Sequence, residues 1–365
     1  MNSPCGFGIE EEYLLVELAS GRMLAAPSAA QIDLCRQVLG AHFAQEMFKG
    51  QIEVASPVFS SLAQAREFLA GSRTQLAQVL AEEGIGLLSA GSHPLGGWRK
   101  QQPADDEHFR QLFADYQQVA RRSLLCGLHV HVGVPPGHDR IQLINQLLPW
   151  LPLLLLLSTS SPFWEGQVTG YMSYRQVACG EWPHMGLPER LSDWQGYQRY
   201  LALLRRTGSL REGDDGWWAI RPSRRFPTVE LRIADACPNL EDALCIAGLF
   251  RCMVEHYLAQ PRTTVHLSRE AHWLARENYW RAMRHGRHGQ FICLEDEEGQ
   301  GSAGQWLARA QAVFADALQG VDGDRSFARA QVIVAQGSSA DRQLAMAQQG
   351  MLAVVQGLLQ EVKSC

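Results

Sequence analysis

The sequence predicts an α+β chain, and three observations carry that expectation. Segments with two-residue alternation, residues 7–16, 51–55, 126–134 and 228–235, read as strands. Between them lie amphipathic stretches of helical period, most clearly residues 61–83, with Leu62, Ala65, Phe68, Leu69, Leu76, Val79 and Leu80 on one face. From residue 240 onward the chain is helical by periodicity and by its Gly and Pro breaks, so the C-terminal third reads as a helical layer.

Bulk properties exclude several classes of function. The chain has 365 residues, 46% hydrophobic and 19% charged, which is ordinary globular composition with length for a large core. Length alone allows one or two domains. A net charge of -5 gives no electrostatic reason to expect nucleic acid or an anionic membrane as partner. The nine cysteines are odd in number and show no C-x-x-C spacing, which predicts reduced thiols in a cytoplasmic protein. No basic segment followed by an apolar run opens the chain, so no secretory signal is expected. The most apolar run, residues 147–157, is short for a membrane span and is interrupted by Pro149 and Pro152; it reads as a buried helix that restarts after a kink.

In chain order, the opening strand holds Glu10, Glu11 and Glu12. Glu10 and Glu12 share one face, and Glu11 shares the other with Ile9, Tyr13 and Leu15. Two like charges on one face read either as a solvated edge strand or as a carboxylate platform for Mg²⁺ or Mn²⁺, hard cations that take oxygen ligands. Glu11 is expected to have a structural role, pairing with an arginine of the helical layer. Glu46 and Glu53 lie seven apart and share a face only if the chain turns near Gly50; otherwise both are surface glutamates. Residues 84–91 predict a buried strand and 105–123 one helix. His129 and His131 share a face of the next strand as a ligand or catalytic pair, or as satisfied core histidines.

The long connection over residues 169–188 reads as a binding loop, and residues 171–188 as the segment that closes over the site. Tyr171, Tyr174, Arg175, Trp164 and Trp182 there form an aromatic and cationic wall suited to a small zwitterion, or core aromatics under a loop. Residues 191–206 predict a helix. Residues 217–222 predict a strand with Trp217, Ala219 and Arg221 on one face, and Trp218 is a further candidate for the substrate. Glu230 and Arg232 share a face of the following strand, either paired with each other or holding a cation and the phosphate it bridges. Five helices complete the chain over residues 240–260, 267–285, 303–319, 324–336 and 340–362. The G-x-G-x-x-G match at residues 299–304 follows an acidic run and no strand, and reads as an exposed loop. There is no P-loop and no G-x-S-x-G elbow.

If these strands join one antiparallel sheet, their polar faces converge on a single cavity of carboxylates, imidazole and guanidinium. Phosphoryl transfer needs that combination: cations to neutralise the phosphates and a planar cation at the transferring group.

At this point whole motifs match a known pattern. Gly8-Ile9-Glu10-Glu11-Glu12-Tyr13, Gln51-Ile52-Glu53-Val54-Ala55-Ser56-Pro57, Gly91-Ser92-His93-Pro94, Cys126-Gly127-Leu128-His129-Val130-His131-Val132-Gly133 and Thr228-Val229-Glu230-Leu231-Arg232-Ile233-Ala234-Asp235 resemble the YbdK family of carboxylate–amine ligases, within the glutamate–cysteine ligase type 2 group. The likeness extends through residues 158–164, 277–282 and 337–343, over essentially the whole chain. It implies a single catalytic domain over residues 1–365 with a glutamine synthetase/guanido kinase-like fold, a curved, mainly antiparallel sheet cradling the site with helices on its outer face. It implies an ATP- and Mg²⁺-dependent ligase working through an acyl phosphate, with glutamate and cysteine as default substrates. Two or more Mg²⁺ ions are implied, with Mn²⁺ as an alternative. One would be held by Glu12, Glu46 and Glu53, and a second by Glu10, His129 and Glu230. Arg232 would contact the γ-phosphate of ATP, with Arg221 beside it and Glu230 also catalytic, and Tyr171, Tyr174, Arg175, Trp218 and His131 would face substrate. A homodimer is the family-level expectation. Ala219 and Val168 depart from Asp at the matching positions, on the expected substrate side. Two other readings stay open: a metal-dependent hydrolase using His129 and His131 without nucleotide, and a non-catalytic amino-acid-binding protein on a ligase scaffold.

Overall fold

A computed structural model describes residues 5–260, 268–293 and 299–364. Its centre is an open seven-stranded sheet, antiparallel throughout. The strands are β1 (Phe7–Glu17), β2 (Phe43–Gln45), β3 (Gln51–Ala55), β4 (Ile85–Leu88), β5 (Gly127–Gly133), and, after four two-residue strands β6 (Phe163–Trp164), β7 (Gln167–Val168), β8 (Met185–Gly186) and β9 (Trp217–Trp218), β10 (Ile220–Pro222) and β11 (Thr228–Asp235). The order is β10-β11-β5-β1-β3-β2, with β4 pairing the far end of β1. β1 is the longest strand and lies centrally, bonded to β5, β3 and β4.

Alternation assigns the two faces. Leu128, Val130 and Val132 of β5, with Val229, Leu231 and Ile233 of β11, join one large buried cluster with the helices over residues 140–158 and 240–259. Tyr13, Leu15, Ile52 and Val54 pack the same way on Leu76 and Leu80. At about 25 cal/mol per Å² of apolar surface, burial of this face dominates the stability of the sheet. The opposite face carries Glu10, Glu12, Glu53, His129, His131 and Glu230.

The helices are α1 (Ala29–Leu39), α2 (Leu62–Glu82), α3 (Glu107–Tyr116), α4 (Gln118–Arg122), α5 (Arg140–Leu147), α6 (Leu151–Ser158), α7 (Tyr174–Cys179), α8 (Trp194–Arg206), α9 (Leu240–Ala259), α10 (Arg269–His285), α11 (Ala303–Val313), α12 (Gly323–Gln336), α13 (Ser339–Met346) and α14 (Met351–Lys363). Ser28 and Ser302 close capping boxes on α1 and α11, and Ser61 caps α2. The apolar run restarts at its prolines as expected: α5 passes through one 3₁₀ turn, Leu148–Trp150, into α6. By length and composition Arg140–Ser158 is the one membrane-span candidate among the described residues, but 78% of that window is buried inside the protein.

Several expected elements differ. The helix expected over residues 105–123 breaks at Gln117, which adopts φ 47°. The last helix breaks at Gly350, φ 103°, a conformation that glycine supplies without strain. The glycine-rich match is not simply a loop: β13 (Gln300–Ser302) pairs with β12 (Gln290–Ile292) and Ser302 then caps α11. The acidic run before it lies outside the described residues.

Candidate active site

The site is a cross-strand ladder. Glu12 stands opposite Glu53 across β1 and β3, and Glu10 stands opposite His129 across β1 and β5. His131 stands opposite Glu230 across β5 and β11, and Glu230 opposite Arg221 across β11 and β10. Directly opposed residues project on the same side, so five strands place these side chains in one row. The tight turn before β3 adds Glu46 to the rim of the same cavity, of about 320 Å³. Gln45 fixes that turn, its Nε2 donating to the carbonyls of Phe48 (3.0 Å) and Gln51 (2.8 Å).

His129 sits between the two opening carboxylates. Its Nδ1 is 3.1 Å from Glu10 Oε2 and its Nε2 is 3.7 Å from Glu12 Oε1. Candidate ligand atoms cluster in two sets, Glu10 with His129 and Glu230, and Glu12 with Glu53 and His129, each within 4.8 Å. The first set is the one implied by the sequence resemblance. The second differs: His129 belongs to both sets, and Glu46 lines the cavity without joining either cluster. Glu230 is 2% exposed and held by two guanidinia, Arg221 Nε at 2.8 Å and Arg232 Nη1 at 2.5 Å.

Charge across the cavity is uneven. Burial acts against the charge of Glu230, but Arg232 and Arg221 outweigh it and hold its carboxyl down at about 2. Glu10 is buried as well, and its hydrogen bonds to His129 and His131 hold it below the ordinary carboxylate range. Burial, followed by the charge of Glu12, pushes Glu46 up to about 8. Burial and then Glu10 and Glu46 push Glu53 well up. The β1–β3 half therefore holds more carboxylates than the neighbouring cations compensate. A donor set of carboxylate oxygens with one imidazole fits a hard divalent cation such as Mg²⁺ or Mn²⁺.

A bulge aims Arg232. The β11–β5 register shifts between Leu231 and Ala234, freeing the carbonyls in between. α7 takes them up: Arg175 Nη1 donates to Ala234 O at 3.0 Å, its Nη2 to Arg232 O at 3.3 Å, and Gln176 Nε2 to Ile233 O at 2.5 Å. Gly127 makes room for this, since a Cβ there would lie 2.4 Å from Arg175 Nη2 and 2.9 Å from His129 Nε2. Arg175 borders the cavity, but its guanidinium braces backbone and is not displayed to a substrate carboxylate.

Other expected substrate residues also sit elsewhere. Tyr171 packs under Arg284, and Tyr174 packs on Trp164 with ring centroids 5.2 Å apart. Trp218, 3% exposed, stacks on Tyr200 in the core. His131 lies outside the cavity lining, with Nε2 3.2 Å from Glu10 Oε1 and Nδ1 3.0 Å from Thr228 Oγ1. Ala219 is buried away from the cavity, and Val168 is 63% exposed on the β6–β7 hairpin. The expected closing loop is anchored through much of its length by α7. Of the expected aromatic wall, Trp182 does line the cavity; the rest of the apolar wall is made by Trp217, Met185, Phe109 and Leu112, with Gln51 beside the carboxylates. Trp217 was legible from its shared face with Arg221; Phe109 and Leu112 of α3 carried no signal beyond amphipathicity.

The open antiparallel sheet and its helices share the fold of two solved structures. Glutamate–cysteine ligase (gshA) from Francisella tularensis in complex with AMP aligns with a TM-score of 0.72 at 14% identity, covering 100% of this chain and 90% of that one. A bifunctional glutathione synthetase from Pasteurella multocida aligns with a TM-score of 0.69 at 14% identity, covering 99% of this chain and 52% of that one. In sequence, the profile of glutamate-cysteine ligase family 2 matches residues 6–359, and the chain belongs to that family. A Pseudomonas putida relative named "Putative glutamate--cysteine ligase 2" is 60% identical over 94% of this chain and 93% of its own length. A Pseudomonas entomophila relative of the same name is 59% identical over 94% of this chain and 89% of its own. By family the chain is an ATP-dependent carboxylate–amine ligase, and neither the hydrolase nor the binding-protein alternative gains support.

Proposed function

We propose that this cavity condenses the side-chain carboxylate of glutamate with an amine, cysteine being the default partner from the relatives' names, and that residues 1–365 act as one catalytic domain. The observation that carries the site assignment is the four-carboxylate cavity with Arg232 braced at its edge. Glu10, His129 and Glu230 would hold one divalent cation; Glu12 and Glu53, with Glu46 from the rim, would hold another. Bound there, the cations neutralise phosphate charge and polarise the γ-phosphoryl group.

The chain's own groups do the rest. Arg232 offers a planar donor fork to the γ-phosphate, and Arg221 keeps Glu230 ionised while it does so. The substrate carboxylate oxygen forms a bond to the γ-phosphorus as the bond to ADP breaks. The neutral amine nitrogen then bonds to the acyl carbon as the acyl–oxygen bond breaks, and inorganic phosphate leaves with the oxygen that the carboxylate supplied and with the proton the amine loses. The surrounding wall keeps water from the acyl phosphate.

ADP release over a panel of acids and amines, with and without EDTA, tests the proposal. Release should require ATP, Mg²⁺, an acid and an amine together. Glu10→Gln and Glu230→Gln should each abolish it while leaving the thermal unfolding transition in place; turnover near the wild-type rate in either variant would sink the metal assignment. Cys5, Cys35, Cys126, Cys179, Cys237, Cys245 and Cys252 are free thiols, which suits the cytoplasmic location we propose. The homodimer is likewise a proposal, measured by light scattering in solution.

A further inference from the structure

The cavity is divided in character. One half is the carboxylate ladder; the other is walled by Trp182, Trp217, Met185, Phe109 and Leu112. The indoles of Trp182 and Trp217 meet edge to face at 5.4 Å, and Tyr116 backs both. In this half Trp182 Nε1 donates to Ser123 Oγ at 2.5 Å, and that hydroxyl donates to Val119 O at 2.8 Å. Of the three arginines lining the cavity, Arg175 is committed to β11 carbonyls, and Arg221 and Arg232 pair with Glu230 on the ladder side.

One polar atom stands out at the seam. Gln51 is 2% exposed, lines the cavity and lies on the same strand face as Glu53. Its Nε2 donates to Leu125 O at 2.8 Å, which fixes the amide's orientation and leaves Oε1 as an acceptor with no partner. A buried acceptor is costly to leave unsatisfied. An N–H donor carried by a ligand, with an apolar group attached, would satisfy the oxygen and fill the wall together.

We propose that, given the ligase reading above, the amine substrate bears an uncharged apolar side chain larger than that of cysteine, of the size of leucine, methionine or phenylalanine. Its nitrogen donates to Gln51 Oε1, and its side chain lies against Trp217, Met185 and Phe109. An adenine base is the other candidate occupant, since its exocyclic amine could also donate to Gln51 Oε1, and the ATP readout below separates the two.

The test follows ADP release with ATP, Mg²⁺ and L-glutamate fixed. The amines compared are L-cysteine, L-leucine, L-methionine, L-phenylalanine and phenethylamine. The expected result is a kcat/KM about tenfold or more higher for at least one of the bulkier apolar amines than for cysteine. The phenethylamine arm tells whether the amine's own carboxylate is read. Turnover in which cysteine matches or exceeds every apolar amine overturns this inference and leaves the ligase reading standing. No ADP release with any amine overturns both. Trp217→Ala should lower kcat/KM for the preferred amine about tenfold with the KM for ATP unchanged. Phe109→Ala, on a separate element, repeats the test if the first variant does not fold, and Gln51→Leu should raise the KM for the amine alone. A raised KM for ATP with the amine unaffected would give the wall to the nucleotide base and overturn the assignment.

Discussion

Glu11 and Arg73 meet in the interior with 3% and 0% of their side chains exposed, Arg73 Nη2 2.6 Å from Glu11 Oε1. Arg73 also donates to the carbonyls of Pro238 (2.7 Å) and Cys237 (2.9 Å), so one α2 side chain ties the centre of β1 to the end of β11. The structural pairing expected for the middle glutamate of the acidic triplet is present, but its arginine comes from α2 and not from the C-terminal helical layer. Removing one partner leaves a buried charge: Arg73→Leu should lower the free energy of unfolding by about 3–5 kcal/mol, read by urea titration, and Glu11→Gln in the same chain should restore part of it. At the other end of the ladder, Arg232→Lys keeps the charge but loses the planar fork. A fall in kcat of about 100-fold, with substrate KM values little changed, is the expected outcome.

At the scale of elements, β11 and α7 act as one unit, because the bulge that aims Arg232 depends on Arg175 and Gln176 for its freed carbonyls. Gly127→Ala should therefore disturb Arg175 and His129 together, costing about 1–3 kcal/mol of stability and a larger share of activity. This coupling was not legible in the sequence. Alternation showed which residues of β1, β3, β5 and β11 share a face, because a period of two is local and strong. Register was not visible, so the pairing of Glu10 with His129 and of Glu12 with Glu53 came from the structure. Aromatic and cationic composition around residues 169–188 suggested a substrate wall, but composition does not distinguish a displayed arginine from one bracing a backbone, and α7 turns Arg175 inward. Gln117 broke a helix without the glycine or asparagine that usually marks such a conformation. Gly350 did mark its break, and periodicity on both sides concealed it.

The whole molecule sets the response to pH and metal. Glu46 is raised from 4.5 to about 8 in the fold, and Glu53 is raised too. A carboxyl with a raised folded pKa keeps its proton in the native state after the unfolded chain has lost its own. Its contribution therefore turns against the fold as pH rises from about 4.5 through 8. Glu10 and Glu230, both lowered, change stability only on the acid side of 4.5 and do not enter this window. Mg²⁺ binds the ionised forms, so its stabilising shift in Tm should grow between pH 7 and pH 9 and vanish with EDTA. A shift equal at both pH values would contradict the placement of Glu46 and Glu53 at a cation site.

Everything rests on the carboxylate being activated by phosphoryl transfer inside this cavity. Glutamate carrying ¹⁸O in its side-chain carboxylate tests that directly. During turnover with ATP, Mg²⁺ and the preferred amine, one ¹⁸O should pass from the carboxylate into inorganic phosphate for each ADP formed, and Glu230→Gln should abolish the transfer. Phosphate free of ¹⁸O, or label recovered in AMP alongside pyrophosphate, would contradict the acyl-phosphate account.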